Sequence, residues 1–140
     1  MEKKKLNQGL KVIHWNCNSL TNKKELLEIF LQKHQPDVFL LNEIKLDNLR
    51  ANFFLNFKGY ASIHRCRNSS GGGVAILIKN SLEFLQINEL DSFNCEIIAI
   101  KLPVMIGSTM KHLHIFSIYQ PPPSKINNHK LINPEIFEYI

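Results

Sequence analysis

Three stretches of the chain share one pattern, an apolar run that ends abruptly in polar residues. They are Leu10–Leu20 (LKVIHWNCNSL), Pro36–Lys45 (PDVFLLNEIK) and His114–Pro122 (HIFSIYQPP). Each predicts a buried strand that delivers an Asn, a Glu or a Tyr at its end. Strand ends are where ligand-binding and catalytic groups collect in layered α/β folds.

The surrounding pattern fills in the elements. Leu10–Trp15 reads as a first strand and Val38–Leu41 as a second. Between them, Asn22–His34 places Leu26, Leu27, Ile29, Phe30 and Leu31 on a broad apolar helical face. Thr21 or Asn22 can cap that helix, and Pro36 closes it. A β-α-β order with short connections predicts a parallel pair joined by a crossover helix. Asp47–Phe57 reads as a short helical or irregular segment turning Leu49, Phe53, Phe54 and Leu55 inward. From Tyr60 the texture changes. Tyr60–His64, Val74–Lys79, Leu82–Ile87, Glu96–Leu102 and His112–Tyr119 are short runs rich in β-branched and aromatic residues, punctuated by Gly, Asn, Ser and Pro. They predict an antiparallel meander. The expected core is Val12, Val38, Leu40, Ala75, Leu77, Ile98, Ile100 and Ile118. Asn133-Pro134-Glu135 opens a further helix that the chain leaves after less than two turns, so the sequence reads as truncated. The expected fold class is α/β, with a basic tail over residues 1–9 and one domain portion over residues 10–140.

Composition narrows the partners. In 140 residues, 17 Lys and Arg stand against 12 Asp and Glu, giving a net charge of +5 and a pI near 9.2. That balance suits a phosphate-rich partner, although Lys3, Lys4 and Lys5 beside Lys23 and Lys24 also fit a solvated basic surface. Cys17, Cys66 and Cys95 are odd in number and form no CxxC pair, which argues against a disulfide framework or zinc site and for a reducing, intracellular location. The longest apolar run, Val74–Ile78, is too short to span a bilayer, so no membrane partner is expected. Gly71-Gly72-Gly73 lacks the following Lys-Ser/Thr and helix of a phosphate loop and reads as a hairpin tip.

Each polar strand end has a chemical reading and an ordinary one. Glu43 can hold Mg²⁺, which is bound by one or two carboxylates plus substrate phosphate oxygens; a solvated acid is the plain alternative. Asn16 and Asn18 lie two residues apart, so extended backbone would aim both the same way, toward a phosphate or into a turn. The Tyr119 phenol can donate to a phosphate oxygen or pack on Pro121, Pro122 and Pro123. His112 and His114 share a strand face and could begin a metal pair, with no third ligand in view.

Taken in order, four blocks resemble the endonuclease/exonuclease/phosphatase superfamily, and within it the apurinic-type endonuclease domain of non-LTR (LINE-like) retrotransposons. The blocks are LKVIHWNCNSL, PDVFLLNEIKL, GGGVAILIKNSL and FSIYQPPPS, spanning residues 10–124. The resemblance implies part of a four-layered α/β sandwich, two packed sheets flanked by helices, and a Mg²⁺-dependent endonuclease that nicks target DNA through its phosphate backbone. It matches Asn16 to the first active-site Asn, Glu43 to the metal-binding Glu and Tyr119 to the Tyr that contacts the scissile phosphate. Asn18 falls where repair-type members place a metal-associated Asp and retrotransposon members an Asn, a substrate-binding position. Two departures stand out. The Glu usually sits between Gln and Thr, whereas here it sits between Asn42 and Ile44. The later Gly-Asp-Phe-Asn and Ser-Asp-His blocks, whose Asp and His activate water, have no counterpart after Tyr119, where the only acids are Glu135 and Glu138. The implied protein is therefore an N-terminal endonuclease portion, nuclear within an active element and inactive as this chain. The alternatives are a degenerate nucleic-acid-binding remnant, or a phosphatase or phospholipase-type member of the same superfamily.

Overall fold

The first strand, β1 (Val12–Asn16), runs parallel to β2 (Val38–Asn42), with Val12 opposite Val38 and Asn16 opposite Asn42. Helix α1 (Lys24–His34) makes the crossover, as the β-α-β pattern predicts. This is a computed structural model of the chain, and it describes residues 9–92 and 95–122. The basic tail up to residue 8 and the helix start at Asn133 lie outside the described residues.

Helix α1 departs from its expected start and face. Its N-cap is Lys23, which makes no side-chain capping bond, rather than Thr21 or Asn22. The Lys23 ammonium instead reaches back to the carbonyl oxygens of Cys17 and Asn18. Only Leu27 and Leu31, four residues apart, are buried; Leu26 and Ile29 face solvent, so the apolar stripe is narrower than the sequence suggests. The helix ends on Gln35 at φ 44°, whose N–H bonds Leu31 O. A short helix, α2 (Asn48–Phe54), follows β2, capped by the Asp47 side chain accepting from Arg50 N at 2.9 Å. It buries Ala51, and Leu55 just beyond it; the expectation that Leu49 and Phe53 turn inward fails, for both are exposed. Two helical turns present one narrow face, and Ala51 and Leu55 occupy it.

The predicted meander is divided between two sheets. β3 (Tyr60–Arg65) and β4 (Val74–Lys79) form an antiparallel pair, and β4 also pairs antiparallel with β2. The first sheet is thus ordered β1-β2-β4-β3. Val74–Ile78 is buried throughout because β4 is covered on both faces, which accounts for its unbroken apolar run. β5 (Leu85–Gln86), β6 (Glu96–Ile106) and β7 (Thr109–Tyr119) make a second, antiparallel sheet. Of the expected strand Leu82–Ile87 only two residues pair.

The layers follow from these faces. Phe39, Leu41, Ala75 and Leu77 pack against Leu27 and Leu31 of α1 and against Ala51 and Leu55. The other face of the first sheet, with Val38, Val74, Ile76 and Ile78, packs on Ile98, Ile100 and Leu102 of β6. Leu90, Ile97 and Ala99 form a third cluster on the outer side of the second sheet, joined by Phe116 and Ile118. Three expected core residues are therefore displaced. Val12 is 43% exposed because β1 is an edge strand. Leu40, paired with His14 of that strand, is half-buried. Ile118 is half-buried on the outer face, since strand alternation turns Ser117 toward the first sheet instead.

Candidate functional site

The ends of β1, β2 and β7 lie together at one end of the layered core. The chain leaves β2 through left-handed backbone, with φ 54° at Glu43 and 51° at Lys45. Such conformations are uncommon for residues other than glycine, so surrounding bonds must fix them. On one side, Ser19 N and Leu20 N donate to the carbonyls of Glu43 and Ile44 at 2.8 and 3.0 Å. On the other, Ile44 N and Lys45 N donate to the carbonyls of Gly73 and Gly72 at 3.2 and 2.9 Å. The triple glycine, expected as a hairpin tip, thus closes one wall of the site.

Asn16, Glu43 and Tyr119 meet through one carboxylate oxygen. The Tyr119 hydroxyl donates to Glu43 Oε1 at 2.5 Å, and Asn16 Nδ2 donates to the same oxygen at 3.3 Å. Asn18 does not join them directly. Its φ of 44° breaks the extended path that would have aligned it with Asn16, and its N–H donates to Asn16 Oδ1 at 3.2 Å. Its own Oδ1 accepts from Lys45 Nζ at 2.5 Å, and that ammonium lies 3.9 Å from Glu43 Oε2. Between the two asparagines, Cys17 is buried, and desolvation pushes its thiol up to about 11, so it is a packing residue rather than a nucleophile.

Several residues that sequence reasoning did not single out complete the arrangement. Asn42 is buried and stitches the sheets together: its Nδ2 donates to Ile118 O at 3.1 Å, and its Oδ1 accepts from Ser117 Oγ at 3.0 Å. The residue that departs from the usual Gln before the Glu thus uses both ends of its amide, the nitrogen as donor and the oxygen as acceptor. Glu96 stands opposite Tyr119 in the β6–β7 register, accepts from Gly73 N, and lies 3.5 Å from Arg67 Nη1. Register supplied the missing signal for Glu96, because the two-residue turn Gly107-Ser108 fixes which residues of the hairpin face each other. For Lys45 the signal was its place two residues beyond Glu43.

The electrostatics follow from these contacts. The carboxyl of Glu43 is held below its ordinary value of 4.5, chiefly by the Tyr119 hydrogen bond, with Asn16, Lys45 and Arg67 adding to it against some desolvation. Burial first and then the Glu43 bond push the Tyr119 phenol from 10.0 to about 12. A lowered acid stabilises the fold above its unfolded value and loses that effect as pH falls through the folded one. A raised phenol stabilises below its unfolded value and loses that effect as pH rises through the folded one. The Tyr119–Glu43 bond therefore contributes fully between pH 4.5 and 10.0. In a carboxyl-detected NMR titration, Glu43 should ionise below the ordinary carboxylate range, and Tyr119→Phe should raise its midpoint. Identical midpoints in the two proteins would show that the phenol does not hold the carboxylate.

The donor set fits a lightly coordinated hard cation. Glu43 Oε2 and Asn18 Oδ1 are oxygen donors, and Mg²⁺ commonly keeps several waters while using one or two carboxylates. Among the described residues no group of three or more His, Cys, Asp or Glu could hold a metal. The His112–His114 pair is exposed on β7 opposite Pro103 and Lys101 and gains no third ligand there.

Residues 13–134 match the Endonuclease/Exonuclease/phosphatase family, and the chain belongs to it. The probable RNA-directed DNA polymerase from transposon X-element of Drosophila melanogaster is 26% identical over 113 residues, covering 81% of this chain and 12% of that relative. Among solved structures, the AP endonuclease LMAP from Leishmania major aligns with a TM-score of 0.63 at 20% identity, over 79% of this chain and 40% of that one. The 3′ phosphatase NExo from Neisseria, bound to product DNA hairpin, aligns with a TM-score of 0.54 at 22% identity, over 94% of this chain and 47% of that one. The chain thus spans about an eighth of the curated relative's length and under half of these structures'. Its two sheets and covering helices are those of the family's α/β sandwich. Among the described residues no helix is long and apolar enough to cross a membrane.

Proposed function

We propose that residues 10–140 carry the phosphate-positioning and metal-holding part of a Mg²⁺-dependent DNA endonuclease of a non-LTR retrotransposon, acting where DNA is accessible, in the nucleus. The observation that carries the reading is the convergence of two neutral donors, the Tyr119 hydroxyl and Asn16 Nδ2, on a single anionic oxygen of Glu43. Donors that close on a carboxylate oxygen can close equally on a phosphate oxygen. Glu43 would hold Mg²⁺, with Asn18 Oδ1 beside it on the substrate-binding side. The metal would supply charge neutralisation at the phosphate as water attacks phosphorus. Asn16 and Tyr119 would orient that phosphate, and the excess of Lys and Arg would attract the backbone. The resemblance to transposon polymerases and to a DNA-bound relative supports nucleic acid as the substrate class.

A second reading applies to the chain by itself, as a nucleic-acid-binding remnant without catalysis. Among the described residues Glu43 is the one carboxylate joined to Asn16 and Tyr119, and no histidine joins them to take a proton from water. General-base assistance, typically worth about 10²–10⁴-fold, would be missing. Nicking of supercoiled plasmid in Mg²⁺, compared between the 140-residue chain and Glu43→Ala, tests this. We expect no cleavage by either protein, with salt-sensitive DNA binding by both. Robust metal-dependent nicking that Glu43→Ala abolishes would show that these residues suffice.

A further inference from the structure

We propose that Lys45 is a tethered cation that competes with a divalent metal ion for Glu43, so that metal enters this site only as the Lys45 ammonium leaves it. The inference rests on the reading of Glu43 as a metal ligand. Its ground is the way the two Glu43 oxygens are divided. Oε1 takes both neutral donors, Tyr119 and Asn16, while Oε2 faces Lys45 Nζ at 3.9 Å. The same ammonium is 2.5 Å from Asn18 Oδ1. Lys45 Nζ therefore sits between the two oxygens best placed to bind a cation at this end of the sheet.

The placement is built into the backbone. Lys45 is held at φ 51° with its N–H bonded to Gly72 O, and its side chain is only 26% exposed. Mg²⁺ gives up its water reluctantly, and a single carboxylate already paired with an ammonium offers it little gain. Lysine is suited to such an exchange, since its charge is compact and its four-carbon stem lets it swing away. An arriving phosphodiester would offer the displaced ammonium a new anion, coupling metal entry to the presence of substrate.

Isothermal titration of Mn²⁺ into the 140-residue chain tests the idea, with Lys45→Met, Lys45→Gln, Lys45→Arg and Glu43→Gln alongside, and with Lys45→Met combined with Glu43→Gln. Circular dichroism establishes that each is folded, and the two neutral variants guard against one that is not. Removing a unit charge this close should tighten Mn²⁺ by about tenfold in Lys45→Met and Lys45→Gln. Lys45→Arg should match the wild type, and the double variant should lose the gain. Equal, Glu43-dependent affinity in wild type and Lys45→Met would overturn the role of Lys45 and leave Glu43 as a ligand. A gain that survives Glu43→Gln would overturn the competition at this site. No Glu43-dependent binding in any of the proteins would overturn both readings.

Discussion

Replacing Leu77 by alanine should cost about 2–5 kcal/mol of folding stability, read as a lowered denaturant midpoint at unchanged slope. Leu77 is fully buried at the centre of β4, opposite Phe39 of β2 and Ser62 of β3. It belongs to the cluster that seats α1 and α2 on the first sheet, together with Leu27, Leu31, Leu41 and Leu55. Strands on both sides prevent the backbone from collapsing into the space a lost isobutyl group leaves, so the cavity term should be near its upper range. A loss under about 0.5 kcal/mol would show that the helix layer does not rest on this residue.

Gly73→Ala should be nearly as damaging, at about 2–4 kcal/mol, and should disturb the site as well. Gly73 has φ 88°, and an added Cβ would lie 2.7 Å from Cγ1 of the fully buried Ile44. Its N–H serves the Glu96 carboxylate and its carbonyl accepts from Ile44 N, so a shift of this residue pulls directly on the backbone just after Glu43. Gly107→Ala is the matched comparison. Gly107 also has positive φ, at 63°, but nothing lies within 4 Å of its added Cβ, so only backbone strain of about 1–2 kcal/mol applies. Equal losses of thermal midpoint in the two variants would mean that the contact with Ile44 carries no energy.

How much of this was legible in the sequence can be followed residue by residue. The apolar runs before Asn16, Glu43 and Tyr119 marked strands because each ends sharply in polar residues, and all three reach the same end of the core. The parallel pair and its crossover helix were legible for the same reason, with Pro36 and the short connections leaving few arrangements. Faces were harder. Alternation along β7 turns Ser117 inward and Ile118 outward, the reverse of what hydrophobicity alone suggests, because Asn42 supplies the buried partner that Ser117 needs. Val12 belongs to an edge, and no local pattern distinguishes an edge strand from an inner one. The partition of the later strands into two sheets depends on β4 returning to pair with β2, a long-range choice that short runs of β-branched residues do not encode. The glycine wall was invisible for a related reason: its role rests on left-handed backbone at Glu43 and Lys45, which nothing in an Asn-Glu-Ile-Lys string announces.

The two-residue turn at Gly107-Ser108 sets a rule about insertions and deletions in the long hairpin of β6 and β7. Its outer part, from Met105 to Met110, is exposed and lies far along the register from Glu96 and Tyr119. Removing or adding one residue on each strand there changes only how far the hairpin extends, and the Glu96–Tyr119 pair keeps its place. A change on one strand alone alters parity. It must be absorbed as a bulge near the tip, or it exchanges the inner and outer faces of β7, sending Ser117 away from Asn42 and Tyr119 away from Glu43. The length of this arm is therefore free to drift, while the evenness of its length is tied to the site at its base.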